Sequence, residues 1–583
     1  MRQSNLKTVL AAINAQYIHT GLGARSICAY VQRETDFAVS LLEYTINDHE
    51  ADVLEGLYES KADVYLFSCY IWNIEMVLRL VRDLRQLRPD AYIGLGGPQV
   101  GYQGPALLQV LPEADWILTG EGEETCCQLL RLLAADRPLE ECAGLVCRRE
   151  GKAVDTAARA PISLDRLAFA YPDIGSLTHR TLYYESMRGC PFACSYCTSS
   201  IERGVRKRSL PLVFEDLSFF LKHRVKQVKF VDRTFNCDPA HSRPLWEWLA
   251  EHDNGVTNFH FELSGELLEE DTLRFLSEVR PGLFQFEIGV QSTHPETLRE
   301  IDRPAQVPRL LGKVRQLLAP DNIHVHLDLI AGLPYEGFKR FQASFNEVYA
   351  CLPHQLQMGF LKVLSGSKME AKARDYGLAY SRSAPYEALF TRWMSYEELG
   401  LLRGVAKMVD VYYNSGRFSH TLRRLIPSFP DAFSFYRLLW LYYENATQRR
   451  PLSAVGTYDL LAGFAQNQGI AITEELQWAA KYDLLLHEKL RKLPSWVAVD
   501  LSREYRKQIQ AFFKNSANIA AYLPEYQGES SSHVERTAHL EIFPFDPSTG
   551  DLGVVAVVFN YKRRNLLGAA QAQRLPLAAL PGA

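Results

Sequence analysis

The sequence predicts an α/β protein in three parts. A doubly wound, Rossmann-like domain comes first, then a partial (β/α)6 barrel of the TIM type. A mostly α-helical domain with a late β-hairpin follows. Three observations predict this. Short apolar runs alternate with helical periods over residues 1–160. Six further strand–helix units run through 179–375, after a linker at 161–178 that has no clear period. From 376 to 565 the composition turns to helix formers and aromatics, and the tail 566–583 is low in complexity and expected to be disordered.

In the first part, Thr8–Asn14, Asp63–Ser68, Ala91–Leu95 and Trp116–Thr119 read as strands. Between them, Asn73–Leu87 places Met76, Val77, Leu80, Val81 and Leu84 on one helical face. Alternation of this kind implies a parallel sheet with ligands at the carboxyl ends of the strands. Those ends are small or polar: Asn14 to Gly23, Ser68-Cys69-Tyr70, Gly96-Gly97-Pro98 and Gly120-Glu121-Gly122-Glu123. Paired glycines let the backbone approach a large ligand. Cys126 and Cys127 fall on a helix, where neighbours point apart, and Cys147 falls in a hairpin turning at Glu150-Gly151. With Cys142, these read as packed thiols, not as a second metal site.

The central strands are Thr181–Ser186, Gln227–Val231, Phe259–Leu263, Leu283–Ile288, His324–Ile330 and Gln355–Leu364. Each ends in small or polar residues, as a barrel with its site at the carboxyl ends requires. Asp232 and Arg233 face that mouth as substrate contacts or as an internal ion pair. Arg206, Lys207 and Arg208 form a basic run, read as a solvated face or as partners of anionic groups. In the last part, Tyr386–Asn414, Pro430–Glu444, Glu474–Lys492 and Leu501–Asn515 carry helical periods. His539–Phe545 and Leu552–Tyr561 alternate about a turn at Pro547–Gly550. The aromatic run at 433–443 reads as core.

The chain has 583 residues and a net charge of -4, so no global basic field points to nucleic acid. No apolar run approaches the ~20 residues of a membrane span. Eleven cysteines are too few for a disulfide scaffold, and a reducing cytoplasm is the expected setting.

Three of those cysteines lie in Met187-Arg-Gly-Cys190-Pro-Phe-Ala-Cys194-Ser-Tyr-Cys197, spaced Cys-x3-Cys-x2-Cys. Such a loop can aim three thiolates at one point, which leaves one iron of a 4Fe–4S cube open. This resembles the radical S-adenosylmethionine (SAM) superfamily, whose signature also has an aromatic before the last cysteine, here Tyr196. The resemblance implies that Cys190, Cys194 and Cys197 hold the cluster and that SAM chelates the open iron. It makes Glu266 a candidate for the SAM amino or ribose region, and Gln291 and Ser292 candidates for ribose and carboxylate. Asp328 and Gly332, in DLIAGLP, are placed beside adenine and methionine. Cys237 is read as a buried thiol, with hydrogen donation or a fourth cluster ligand as the less favoured roles.

A serine ending one strand and a Gly-Gly pair ending the next resembles the cobalamin-binding domain of methionine synthase and mutases. That resemblance assigns Ser68, Gly96 and Gly97 to the slot for the nucleotide tail. The family's Asp-x-His-x-x-Gly signature is absent, and the first loop holds His19 instead. His19 is open between ligating cobalt, touching the corrin and capping a helix. Together the resemblances imply a cobalamin-dependent radical SAM enzyme of a subgroup with a C-terminal helical extension. In it a 5′-deoxyadenosyl radical abstracts hydrogen from an unactivated carbon and methylcobalamin delivers a methyl group. They also imply an external one-electron donor such as flavodoxin or ferredoxin. The alternatives are cobalamin radical chemistry without methyl transfer, a tRNA methylthiotransferase and a non-catalytic cobalamin sensor.

Overall fold

The computed structural model describes residues 6–201, 204–303, 305–489, 493–565, 568–575, 577 and 580. They form two compact units, 1–341 with 359–396, and 342–358 with 397–583.

The first unit begins with a seven-stranded sheet of β1 (Thr8–Asn14), β2 (Val39–Thr45), β3 (Val64–Ser68), β4 (Tyr92–Gly96), β5 (Trp116–Leu118), β6 (Leu145–Arg149) and β7 (Lys152–Asp155). Its order is β2-β1-β3-β4-β5-β6-β7. The first five strands pair in parallel, and β6 and β7 close the edge as an antiparallel hairpin. Every residue of β1 is buried, which is the pattern of a strand covered on both faces. Val9, Ala11 and Ile13 join one apolar core with Val77 and Leu80, while Leu10 joins the other with Tyr30, Trp116 and Leu130. Strand β2 was not expected from the sequence, because it lies at the sheet edge and is half exposed, without a clean apolar run. Glu150 and Gly151 both have positive φ, as a two-residue hairpin turn demands. Cys126, Cys127, Cys142 and Cys147 sit in the second core, and burial raises all four thiol pKa values.

The barrel strand β8 (Leu182–Tyr184) leads into a hairpin of β9 (Met187–Cys190) and β10 (Gly204–Lys207). Next come β11 (Gln227–Phe230), β12 (Asn258–Leu263), β13 (Phe284–Gln291), β14 (His324–Ala331) and β15 (Gln355–Phe360). The sheet order β15-β14-β13-β12-β11-β8 is open at both ends, so this is a partial barrel. Its registers align Tyr183 with Lys229, Lys229 with His260, Glu262 with Glu287, Glu287 with His326, and Gly289 with Asp328. Phe230, Phe261, Phe284 and Phe286 pack on the opposite face, against one another and against Phe235 and Trp246. A short ribbon, β16 (Ala379–Tyr380) with β17 (Ala388–Phe390), follows.

The second unit is mainly helical, with a three-stranded antiparallel sheet. The helix expected from Tyr386 begins only at Tyr396, since Tyr386 has a φ of 57° and Ala388–Phe390 is a strand. The other expected helices are Ala432–Thr447, Glu474–His487 and Arg506–Lys514, and the 490–492 part of that expectation lies outside the described residues. Phe433, Phe435, Tyr436 and Tyr443 are buried, so the aromatic run is core. The hairpin is β18 (His539–Phe545) with β19 (Leu552–Arg564). The tail expected to be disordered instead supplies β20 (Ala570–Leu575), which pairs with β19. Low complexity misled here, because an unpaired edge can recruit any extended segment. Among the described residues, no helix is long and apolar enough to cross a membrane.

Candidate active site at the cysteine loop and barrel mouth

The loop that carries the three cysteines is braced before it begins. Asp232, at the end of β11, is buried and accepts hydrogen bonds from Ser186 N (2.8 Å), Ser186 Oγ (2.5 Å) and Met187 N (3.0 Å). Burial pushes its carboxyl up to about 7 against these bonds. Asp232 is therefore a brace, and neither reading made from the sequence holds for it. Gly189 has a φ of 100°, and a Cβ there would lie 2.1 Å from the Gly204 carbonyl oxygen. Only glycine lets the hairpin close so tightly. Gly189→Ala is expected to add about 1–3 kcal/mol of backbone strain, plus the clash. Loss of bound iron at an almost unchanged cobalamin content would confirm it.

Cys190 and Cys197 are partly accessible and Cys194 is buried. Cys190 Sγ lies 3.5 Å from Thr234 Oγ1, and the turn closes through Cys197 N to Cys194 O at 3.1 Å. Arg303 was not singled out in the sequence. It donates from Nη1 to Cys194 Sγ at 3.6 Å and from Nη2 to Gly289 O at 2.7 Å. Burial raises the Tyr196 phenol, and the thiols of Cys194 and Cys197 raise it further. Cys237 is held up at about 11 by burial first and by Cys190 second, so it is a thiol near the loop.

Four of the expected SAM residues separate into two groups. Gln291 sits in a bulge with a φ of 69°, and its buried Oε1 has no hydrogen-bond partner. Strain together with an orphaned acceptor at a strand end suits a ligand contact. Asp328 faces the lumen, with Oδ1 3.0 Å from His326 Nε2. Ser292, by contrast, is fully buried, donates to Glu336 Oε1 (2.7 Å) and accepts from His294 N (2.9 Å). Its hydroxyl serves the turn. The Glu266 carboxylate accepts from Gln306 N at 2.5 Å and its carbonyl from Lys313 Nζ at 2.7 Å, which ties two loops together. Gly332, at the end of β14, has a φ of 90°.

On the first domain, Ser68 and Gly96 are register partners at adjacent strand ends. Gly97 follows with a φ of 105°, and a Cβ there would meet the Cys69 carbonyl oxygen at 2.6 Å. Tyr17, Ile18, Trp72 and Tyr102 are exposed on the loops after β1, β3 and β4. Small strand ends under an apolar rim fit a large, flat macrocycle. His19 is not with them. Its Nδ1 is 2.8 Å from Tyr183 Oη, and its backbone bridges Thr181 beside β8. Burial, then Lys229, lowers its pKa.

A salt-bridge cluster joins this domain to the cysteine hairpin. Arg188 contacts Glu121 (3.0 Å), Glu123 (3.0 Å) and Glu185 (2.7 Å). Arg206 pairs with Glu121 and donates to Ile162 O at 2.6 Å. Lys207 pairs with Asp238, and Arg208 with Asp216 at 3.0 Å. Arg206 and Arg208 are thus engaged in internal pairs, while Lys207 is exposed and pairs with Asp238 at the surface.

Comparison with known proteins agrees with this geometry. Residues 8–130 match the B12 binding domain, 184–348 the Radical SAM superfamily, and 374–555 a protein family of unknown function, DUF4080. The chain accordingly carries a B12-binding domain, a radical SAM domain and a DUF4080 region. Its class uses a 4Fe–4S cluster, SAM and cobalamin. It is 25% identical over 359 residues to the cobalamin-dependent radical SAM methyltransferase TokK of Streptomyces tokunonensis, covering 56% of this chain and 51% of that one. It is also 25% identical to the 2-(S-pantetheinyl)-carbapenam-3-carboxylate methyltransferase of Streptantibioticus cattleyicolor, covering 52% and 48%. The chain spans about half the length of these relatives. Its fold is similar to that of the cobalamin-dependent S-adenosylmethionine radical enzyme OxsB, with a TM-score of 0.59 at 14% identity over 80% of this chain and 76% of that one.

Proposed function

We propose that the chain methylates an unactivated carbon of its substrate. The observation that carries this reading is the direct tie between the cysteine hairpin and the B12-binding domain through Arg188, Glu121 and Glu123. A shared reaction needs its two cofactor sites held at one spacing, and independent domains would not need that tie. When bound, the cluster supplies the electron for reductive SAM cleavage and cobalamin supplies a transferable methyl group.

The residues of the chain do the rest. Cys190, Cys194 and Cys197 would hold the cluster, and Arg303 fixes Cys194 through its contact to Sγ. Gln291 and Asp328 offer acceptors to SAM or substrate at the mouth. Ser68, Gly96 and Gly97 leave room for the cobalamin tail, and Tyr17, Ile18 and Trp72 shield the macrocycle from water. His19 supports the domain junction through Tyr183, and an external one-electron donor is required.

The methylthiotransferase alternative needs three further cluster cysteines in the first domain. Cys126, Cys127, Cys142 and Cys147 are buried in apolar core, which disfavours it. Reaction of the loaded, reduced enzyme with its substrate is expected to give a product in which one hydrogen is replaced by methyl, together with S-adenosylhomocysteine. A rearranged product of unchanged mass would replace this reading with cobalamin chemistry that lacks methyl transfer.

A further inference from the structure

Small barrels usually fill their interior with bulky branched side chains. This one does not. Its inward positions are Tyr183 on β8, Lys229 on β11, His260 and Glu262 on β12, Glu287 on β13, and His326 and Asp328 on β14. At the amino ends of the strands an amide floor closes the lumen. Gln227 Nε2 donates to Asn258 Oδ1 (3.3 Å) and Gln285 Oε1 (3.4 Å), and Thr181 Oγ1 donates to Gln227 Oε1 (3.0 Å).

Above the floor the charges are only partly matched. Lys229 Nζ pairs with Glu287 Oε2 at 3.1 Å, and His260 Nε2 lies 3.2 Å from the same oxygen. His326 Nε2 pairs with Asp328 Oδ1 at 3.0 Å, and the carboxylate raises the His326 pKa against burial. Glu262, one register step from Glu287, makes no hydrogen bond or ion pair among the described residues, although Arg233 and Lys229 act on it at longer range. Burial, then Glu287, pushes its carboxyl up to about 7. Asp328 stands opposite Gly289, and a Cβ at Gly289 would lie 2.1 Å from Gln291 Nε2, so the Gln291 amide folds over that point. The Gln291 Oε1 is buried without a partner.

The lumen therefore presents two acceptors without a hydrogen-bond partner among the described residues, the Glu262 carboxylate and Gln291 Oε1, beside the His326–Asp328 pair. Unsatisfied acceptors call for donors, and a primary ammonium carries three N–H donors and no acceptor. We infer that the lumen recognises a substrate bearing a primary ammonium, seated on the Glu262 carboxylate. A polar floor and paired charges below it disfavour a lipid or a purely hydrocarbon substrate, because such a group would strand these polar atoms without water.

This inference rests on the radical SAM methyltransferase reading. The same ammonium chemistry exists in SAM itself, so the test separates the two sources. Calorimetry on the cofactor-loaded full chain would use S-adenosylhomocysteine first, then 1,4-diaminobutane in its presence. The expected result is that both bind, that Glu262→Gln weakens the diamine about tenfold or more through loss of a charge-assisted hydrogen bond, and that S-adenosylhomocysteine binding is unchanged. 1,4-Butanediol is expected not to compete. If Glu262→Gln weakens S-adenosylhomocysteine instead, the acceptors serve the SAM ammonium and the inference is overturned. It is equally overturned if the diamine does not bind or binds both proteins alike. Failure of S-adenosylhomocysteine to bind at all would strike the methyltransferase reading itself.

Discussion

Cys194→Ala is expected to abolish cluster binding while leaving cobalamin binding intact. Of the three thiols, Cys194 is the buried one, and it receives the Arg303 guanidinium. Without it, two thiolates remain for a cluster that takes three from the protein, and Arg303 keeps only its bond to the Gly289 carbonyl. Iron content and the visible sulfide-to-iron absorption should fall to background in the anaerobically reconstituted variant, and reductive SAM cleavage should vanish with them. Cobalamin uptake should persist, because Ser68, Gly96 and Gly97 belong to a different sheet. A parallel Cys126→Ala variant should keep its iron, since that thiol lies in apolar core. Full iron retention by Cys194→Ala would remove the cysteine loop from the active site.

The cysteine loop was legible because its chemistry depends on spacing within eight residues, which a sequence displays directly. Strand ends β1, β3, β4 and β5 were legible for a related reason, since a buried parallel strand is a continuous apolar run. Arg303 was not legible. It reaches Cys194 from more than a hundred positions away, through a fold that returns the β13 loop to the hairpin. Ser292 and Glu266 have partners that the sequence does not show. Both stand beside strand ends, where Ser292 donates to Glu336 and Glu266 accepts from the Gln306 amide. Position at a barrel mouth does not say which way a side chain is spent.

The polar lumen did leave a signal in the sequence. His260 and Glu262 in FHFEL, Gln285 and Glu287 in FQFEI, and His326 and Asp328 in HVHLDLI repeat at a spacing of two in three successive strands. Their apolar neighbours face the helices. In a barrel, that alternation means a polar interior. Strand ends were weighed for function and strand middles were not, so the pattern went unused.

Arg188→Ala is expected to uncouple the two cofactor sites. Arg188 sits two residues before Cys190 and is held by Glu121 and Glu123 of the B12-binding domain and by Glu185 beside it. Its side chain is only 19% exposed and that of Glu123 only 5%, so the pair is largely removed from water. Deleting one partner of such a pair typically costs about 3–5 kcal/mol, because the remaining charges stay buried and unmatched. Arg206 and Ser26 still bind Glu121 and Glu123, so the domain itself should stay folded. The measurement is the electron paramagnetic resonance of the loaded protein with cobalt in its paramagnetic state and the cluster reduced. In the natural protein, a fixed spacing should give one defined cluster–cobalt spin interaction. In Arg188→Ala that interaction should broaden or weaken while each cofactor's own spectrum and occupancy are kept. Arg188→Lys preserves the charge but not the forked geometry that reaches two carboxylates at once, and it should fall between the two. An unchanged spin interaction in both variants would show that the cluster of charges stabilises the junction without setting the distance across it.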